Sequence, residues 1–207
     1  VDGKVRLVGV ETGAGISDIS CGDHFTMALM TDGTVKSVGL NDRGQLGIGN
    51  TTDQSSWVTS NISGVASILC GAEYAMAVMT DGTVMSVGFN NAGQLGIGNV
   101  TQQTSWVTSN ISGVASIVCA YRHSMALMSD GTVKGVGRNT YGQLGIGNTT
   151  SQSSWVTSNI TGVASVSCSQ DHSMALMTDG TVKSVGYNNY GQLGTGNTTN
   201  QSSWVTS

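Results

Sequence analysis

Every 49 residues this chain starts again. Cys21, Cys70, Cys119 and Cys168 keep that spacing, as do Trp57, Trp106, Trp155 and Trp204, and no insertion interrupts the four copies. A fixed period of this length leaves few folds open, because each copy must bury its apolar surface against the next one. Within a copy the apolar residues alternate rather than recur every three or four, so the unit is built of strands. The third copy predicts strand A over Val114–Cys119, "VASIVC", and strand B over His123–Met128, "HSMALM". On strand B, Met125 and Leu127 point one way and Ala126 and Met128 the other, so both faces should be covered by stacked sheets.

Asp130-Gly131, repeated as Asp32-Gly33, Asp81-Gly82 and Asp179-Gly180, predicts a two-residue hairpin with positive φ angles. Strand C then runs over Thr132–Gly137. A Gly- and Asn-rich connection, "RNTYGQLGIGNTTSQ", leads to strand D at Ser153–Thr157. Four antiparallel strands per repeat and no helix predict an all-β chain, a β-propeller of four-stranded blades. The predicted segments are 1–15, an N-terminal strand and link able to close a ring, then blades at 16–64, 65–113, 114–162 and 163–207. By its 49-residue phase Lys4–Val10 falls on a strand D slot, although its letters resemble strand C. The last copy already has its own strand D, so a closed four-bladed ring would hold one strand too many. The expectation is an arc of a larger ring or one protomer of a multi-chain ring. A chain that opens on Val1 and stops at "WVTS" fits a piece of a longer polypeptide.

The repeat also resembles a known family. "DGTVKSVG" followed by "GQLGIGN", with "HSMAL" before it, is similar to the repeat of the regulator of chromosome condensation family. The resemblance lies in Gly142 to Gly145 and its counterparts Gly44 to Gly47, Gly93 to Gly96 and Gly191 to Gly194. It implies seven-bladed propellers, whose members act as small-GTPase exchange factors, chromatin binders, β-lactamase inhibitors or surface proteins. Two departures stand out. Strand C usually carries a Trp where this chain has Val38, Val87, Val136 and Val185, and no copy holds the inserted wedge that contacts the GTPase.

The copies part company at one end only. In an antiparallel blade the A–B turn and the start of the C–D connection share an end. The A–B turn reads Asp23-His24, Ala72-Glu73, Tyr121-Arg122 and Gln170-Asp171. The connection opens on Leu40, Phe89, Arg138 and Tyr187, and three residues on come Arg43, Ala92, Tyr141 and Tyr190. The opposite end is monotonous. A constant framework with diverse loops is how a recognition surface on a repeat would look. Unconstrained drift gives the same pattern, and the Tyr and Arg content tips the reading toward binding.

Other candidate chemistry is thin. Eight scattered Lys and Arg residues and a net charge of −4 exclude a nucleic-acid footprint, and no apolar run suggests membrane insertion. The cysteines read as small buried side chains, neither a metal set nor a disulfide framework. Gly44, Gly47 and Gly49 fit a compact loop rather than a phosphate cradle, which would need a Lys and a helix N-terminus. His123 and His172 share a slot with Phe25 and Tyr74 and should be half-buried, while His24 should be exposed. The tryptophans should pack on the neighbouring blade, and the Asn-x-Ser/Thr sequons at Asn50, Asn61 and their counterparts read as by-products of the repeat. No acid–base pair, nucleophile set or metal cluster recurs, so a non-enzyme without cofactor is expected. The expected partner is a protein or surface receptor, together with further blades or copies of itself. The charge-poor Ser/Thr/Asn composition suggests an extracellular, cell-surface or virion setting.

Overall fold

The computed structural model describes residues 15–207. Alternation of apolar side chains yields sixteen short strands, four to a sheet, in sequence order and antiparallel throughout. Blade 1 holds β1 (Ile16–Cys21), β2 (Phe25–Met30), β3 (Val35–Gly39) and β4 (Gln54–Thr59). Blade 2 holds β5 (Val65–Cys70), β6 (Tyr74–Met79), β7 (Val84–Gly88) and β8 (Gln103–Thr108). Blade 3 holds β9 (Val114–Cys119), β10 (His123–Met128), β11 (Val133–Gly137) and β12 (Gln152–Thr157). Blade 4 holds β13 (Val163–Cys168), β14 (His172–Met177), β15 (Val182–Gly186) and β16 (Gln201–Thr206). The closure strand expected within 1–15 lies outside the described residues, apart from Gly15.

The hairpin between strands B and C differs from the sequence expectation. In blade 3 the Gly131 N–H donates to the Met128 carbonyl at 2.9 Å and the Met128 N–H to the Thr132 carbonyl at 2.8 Å. That closes a three-residue loop with a bulge, in which only the glycine, at φ 83°, is left-handed. Asp130 has another task. Its Oδ1 accepts from the Thr132 N–H at 2.9 Å and the Thr132 hydroxyl at 2.7 Å, which delays the start of strand C by one residue. The same arrangement recurs at Asp32, Asp81 and Asp179, and these hydrogen bonds to Thr hold all four carboxyls below their ordinary range.

Strand B is the buried heart of blades 1 to 3, as its two apolar faces require. Met27, Met76 and Met125 are completely buried, and so are Ala28, Ala77 and Ala126. Three hydrophobic cores lie between blades 1 and 2, 2 and 3, and 3 and 4. Each receives the tryptophan of the following blade. Trp106 donates its indole N–H to the Ser60 hydroxyl at 2.9 Å, Trp155 to Ser109 at 2.9 Å and Trp204 to Ser158 at 2.8 Å. Gly47, Gly96 and Gly145 make room: a Cβ on Gly96 would meet the Trp155 indole nitrogen at 2.2 Å. Among the described residues no such core joins blade 4 back to blade 1, so the four blades form an open arc.

The innermost strands β1, β5, β9 and β13 touch in succession along the axis. Their last residues are the cysteines, and here the expectation of burial fails. Cys21 is exposed and the other three are half-buried; Cys21, Cys70 and Cys119 line an axial depression of about 380 Å³. An inner strand has a neighbour on one side and the open axis on the other, so its end cannot be enclosed. The desolvation they do experience pushes the thiols of Cys70, Cys119 and Cys168 up to about 12.

Candidate functional site

Backbone bonds build the variable end of the arc, and they are the same in every blade. The first residue of each C–D connection donates its N–H to the last residue of its own A–B turn: Leu40 to His24 at 2.9 Å, Phe89 to Glu73 at 2.9 Å, Arg138 to Arg122 at 2.7 Å and Tyr187 to Asp171 at 2.9 Å. Neighbouring A–B turns are tied together as well, Asp23 N–H to the Ala72 carbonyl at 3.0 Å and Ala72 N–H to the Ala120 carbonyl at 3.4 Å. Strand C ends in a left-handed glycine because the turn crowds it: a Cβ on Gly137, at φ 99°, would lie 2.4 Å from the Arg122 carbonyl oxygen. Main chain carries the architecture here, and the side chains are free to differ.

Below the loops sits a residue that the sequence reading passed over. Asn139 is completely buried, as are Asn41, Asn90 and Asn188. Its Nδ2 donates to the carbonyls of Asn148 at 2.9 Å and Thr150 at 3.1 Å, and its Oδ1 accepts from the Leu144 N–H at 2.9 Å. One amide side chain thus folds the whole C–D connection. The signal was its identity in all four copies, inside a loop where its neighbours change.

The variable side chains pair across blades by two rules. The fourth residue of one connection covers the first residue of the next: the Arg43 guanidinium lies 4.9 Å from the Phe89 ring centre, and the Tyr141 and Tyr187 rings are 4.8 Å apart. The last residue of an A–B turn meets the first connection residue of the blade before it. By this rule the Arg122 guanidinium lies 5.0 Å from the Phe89 ring, and Arg138 Nη1 lies 3.0 Å from Asp171 Oδ1. The latter is an ion contact without hydrogen-bond alignment, since Asp171 Oδ1 meets no donor in line. Arg122 also faces Tyr121 at 5.0 Å, Arg138 faces Tyr141 at 5.4 Å, and Tyr187 meets Tyr190 edge-on at 6.1 Å. A ladder of cations and rings therefore runs across all four blades.

Of the candidate residues, Asp23, His24, Gln170 and Tyr190 are exposed, Tyr190 at 86 %. Leu40, Arg43, Glu73, Phe89, Tyr121, Arg122, Arg138, Tyr141, Asp171 and Tyr187 are half-buried. Ala72 departs from expectation: it is buried, and it contributes its backbone to the chain of A–B turns. Among the described residues no three His, Cys, Asp or Glu side chains come together to hold a metal ion.

The ring slot on strand B also differs from expectation. His123 is completely buried rather than half-buried, and desolvation lowers its pKa to about 3. The Ser173 hydroxyl donates to the Gln143 carbonyl at 2.8 Å, so His123 Nε2, 3.0 Å from that oxygen, must carry the proton. Nδ1 is left as a buried acceptor without a partner. Tyr74 fills the same slot one blade earlier and reaches forward to the His123 carbonyl and the Ser124 hydroxyl, each at 2.8 Å.

The repeat matches a known family. Two models of the regulator of chromosome condensation (RCC1) repeat cover more than half of the chain, one over residues 16–45, 114–143 and 163–192, the other over 81–127 and 130–176. This chain belongs to the RCC1 repeat family. No curated protein matches it. Among solved structures, yeast RCC1 (Prp20), crystallised with Kap60, aligns over 95 % of this RCC1-repeat chain with a TM-score of 0.86 at 20 % identity. Human WBSCR16 aligns over 95 % with a TM-score of 0.83 at 22 % identity. The RCC1-repeat arc spans about half the length of each, 49 % and 54 %. At such identities the likeness is one of fold.

Proposed function

We propose that this chain is a non-catalytic protein-recognition module whose contact surface is the variable loop face. The ladder of Arg43, Phe89, Arg122, Arg138, Tyr141 and Tyr187 carries the reading. Arginine and tyrosine are the residues that dominate protein interfaces. Rings and guanidiniums already stacked lose less side-chain freedom on binding than loose ones would. Yeast RCC1 (Prp20) was crystallised bound to Kap60, and Prp20p has been studied for its binding to Gsp1p and histones. Those partners are theirs; for this chain they support a partner that is a protein, with its identity open.

A purely structural repeat is the competing reading. Regulation of a small GTPase has less in its favour, because the four copies keep one 49-residue spacing and carry no inserted wedge. The charge-poor, Ser/Thr/Asn-rich composition supports a setting outside the cytoplasm or on a cell or virion surface, which fractionation of the source would test.

The deciding experiment levels the loops. Residues 22–24, 120–122 and 169–171 are replaced by the Gly-Ala-Glu of 71–73, and capture of partners from the source is compared with the natural chain. A recognition module loses its partner while its thermal unfolding is kept. Unchanged capture would sink the reading.

A further inference from the structure

The two pairing rules leave one position unfilled. Between blades 1 and 2 the fourth connection residue is Arg43, and between blades 3 and 4 it is Tyr141; each covers the first residue of the next connection. Between blades 2 and 3 it is Ala92, whose methyl group cannot cover Arg138. A groove of about 360 Å³ opens there. Arg122 and Arg138 line it, together with Val100, Ser151 and Ser153. Val100 is 58 % exposed and stands where the other copies have Thr51, Thr149 and Thr198. Neither joint on either side can imitate the groove. The equivalents of Arg122 and Arg138 are Glu73 and Phe89 at one and Asp171 and Tyr187 at the other.

Charge in the groove is out of balance. Arg138 has Asp171 at 3.0 Å, but Arg122 has no carboxylate within ion-pair distance among the described residues. The Arg122 guanidinium carbon lies 5.0 Å from the centres of both the Phe89 and Tyr121 rings, and its Nε is buried without a partner. Contact with a ring engages a guanidinium's face and leaves its in-plane N–H groups to take a carboxylate with two parallel hydrogen bonds. The chain as a whole carries −4, so this is a local positive site on an acidic molecule.

We propose that the groove between blades 2 and 3 is a subsite for an Asp or Glu side chain of the partner protein, with an apolar neighbour of that residue resting on Val100. The inference rests on the recognition face described above and names the chemistry of one contact on it. Arg122 receives the carboxylate, Arg138 divides its N–H groups between it and Asp171, and the serine hydroxyls are further donors to it.

The test is titration of the whole chain, labelled for NMR detection of arginine Nε–H groups, with a tetraglutamate peptide blocked at both ends. Saturable shifts at Arg122 and Arg138, none at Arg43, and no response to tetraglutamine are expected. Arg122→Gln should weaken the peptide about tenfold or more. Ala92→Tyr should abolish binding with the melting temperature kept, since the new ring would stack on Arg138 as Tyr141 does on Tyr187. Absence of binding, shifts spread equally over Arg43, or an Ala92→Tyr chain that binds normally would each overturn the proposal. So would inorganic phosphate displacing the peptide at equal concentration, which would make the groove a phosphate site. If Ala92→Tyr retains the natural partner and the levelled-loop chain loses it, the groove falls and the recognition face stands. If both retain it, both readings fall.

Discussion

At the scale of single residues, the slot shared by Phe25, Tyr74, His123 and His172 shows what one ring position can be asked to do. His123 must stay neutral in the folded chain, its Nδ1 buried without a donor. Its ordinary pKa of 6.5 falls to about 3 on folding, so below 6.5 the unfolded chain takes up a proton that the native one refuses. Stability from this site is whole above pH 6.5 and is lost as the pH falls toward 3, by at most about 1.4 kcal/mol per pH unit. His172, half-buried at the end of the arc, is depressed by desolvation in the same direction. His123→Phe should remove that slope. Ser173 still donates to Gln143, so little else changes, and Phe25 proves the ring fits the slot. Urea midpoints for the two chains at pH 7 and pH 4.5 measure it; parallel losses in both would mean His123 is not the cause.

Between elements, the Trp-on-Ser joint is the unit of cohesion. Trp155 crosses from blade 3 to the Ser109 hydroxyl of blade 2, and that hydroxyl itself donates to the Leu95 carbonyl at 2.7 Å. Trp155→Ala should cost about 3 kcal/mol through lost packing, and Ser109→Ala about 1–3 kcal/mol by stranding a half-buried indole N–H and a buried carbonyl. Chemical unfolding gives both numbers, and a Ser109→Ala cost near zero would show the indole finding water instead. How far such joints were legible differs by kind. Strands A and B followed from alternation alone, because a two-residue period is local. The tryptophans were assigned to a neighbouring blade, but the serine 46 residues upstream was not, since nothing local marks it. Strand C began one residue late because Thr132 binds Asp130, an Asp assigned to turn geometry instead. The loop positions were legible as variable; their pairings were not, because Arg122 and Phe89 meet only once the twist between blades is set. Ala92 carried no signal at all, since its effect is the side chain it lacks.

For the whole molecule, the glycines tell the joints inside the arc from its blade 4 end. Gly44, Gly93 and Gly142 each lie against strand D of the next blade, where a Cβ on Gly142 would come 2.3 Å from the Ser202 Cα. Gly191, the same position in blade 4, would meet only its own Asn197 carbonyl at 4.0 Å, and Leu176 on strand B of that blade is 44 % exposed. Both glycines have positive φ, 83° and 74°, so alanine strains them alike and only the joint differs. Gly142→Ala should therefore destabilise more than Gly191→Ala, by about 1–3 kcal/mol of overpacking. Equal losses by thermal unfolding would mean that another blade or copy covers blade 4. The three joints inside the arc are repetitions of one joint: the same indole, serine and glycine meet each time. Any blade therefore fits behind any other, and a gene can gain or drop a 49-residue unit by slippage between its own copies without inventing a new interface. Each such event also carries a set of loop residues to a new address, so recombination alone reshuffles the face while the frame is inherited unchanged.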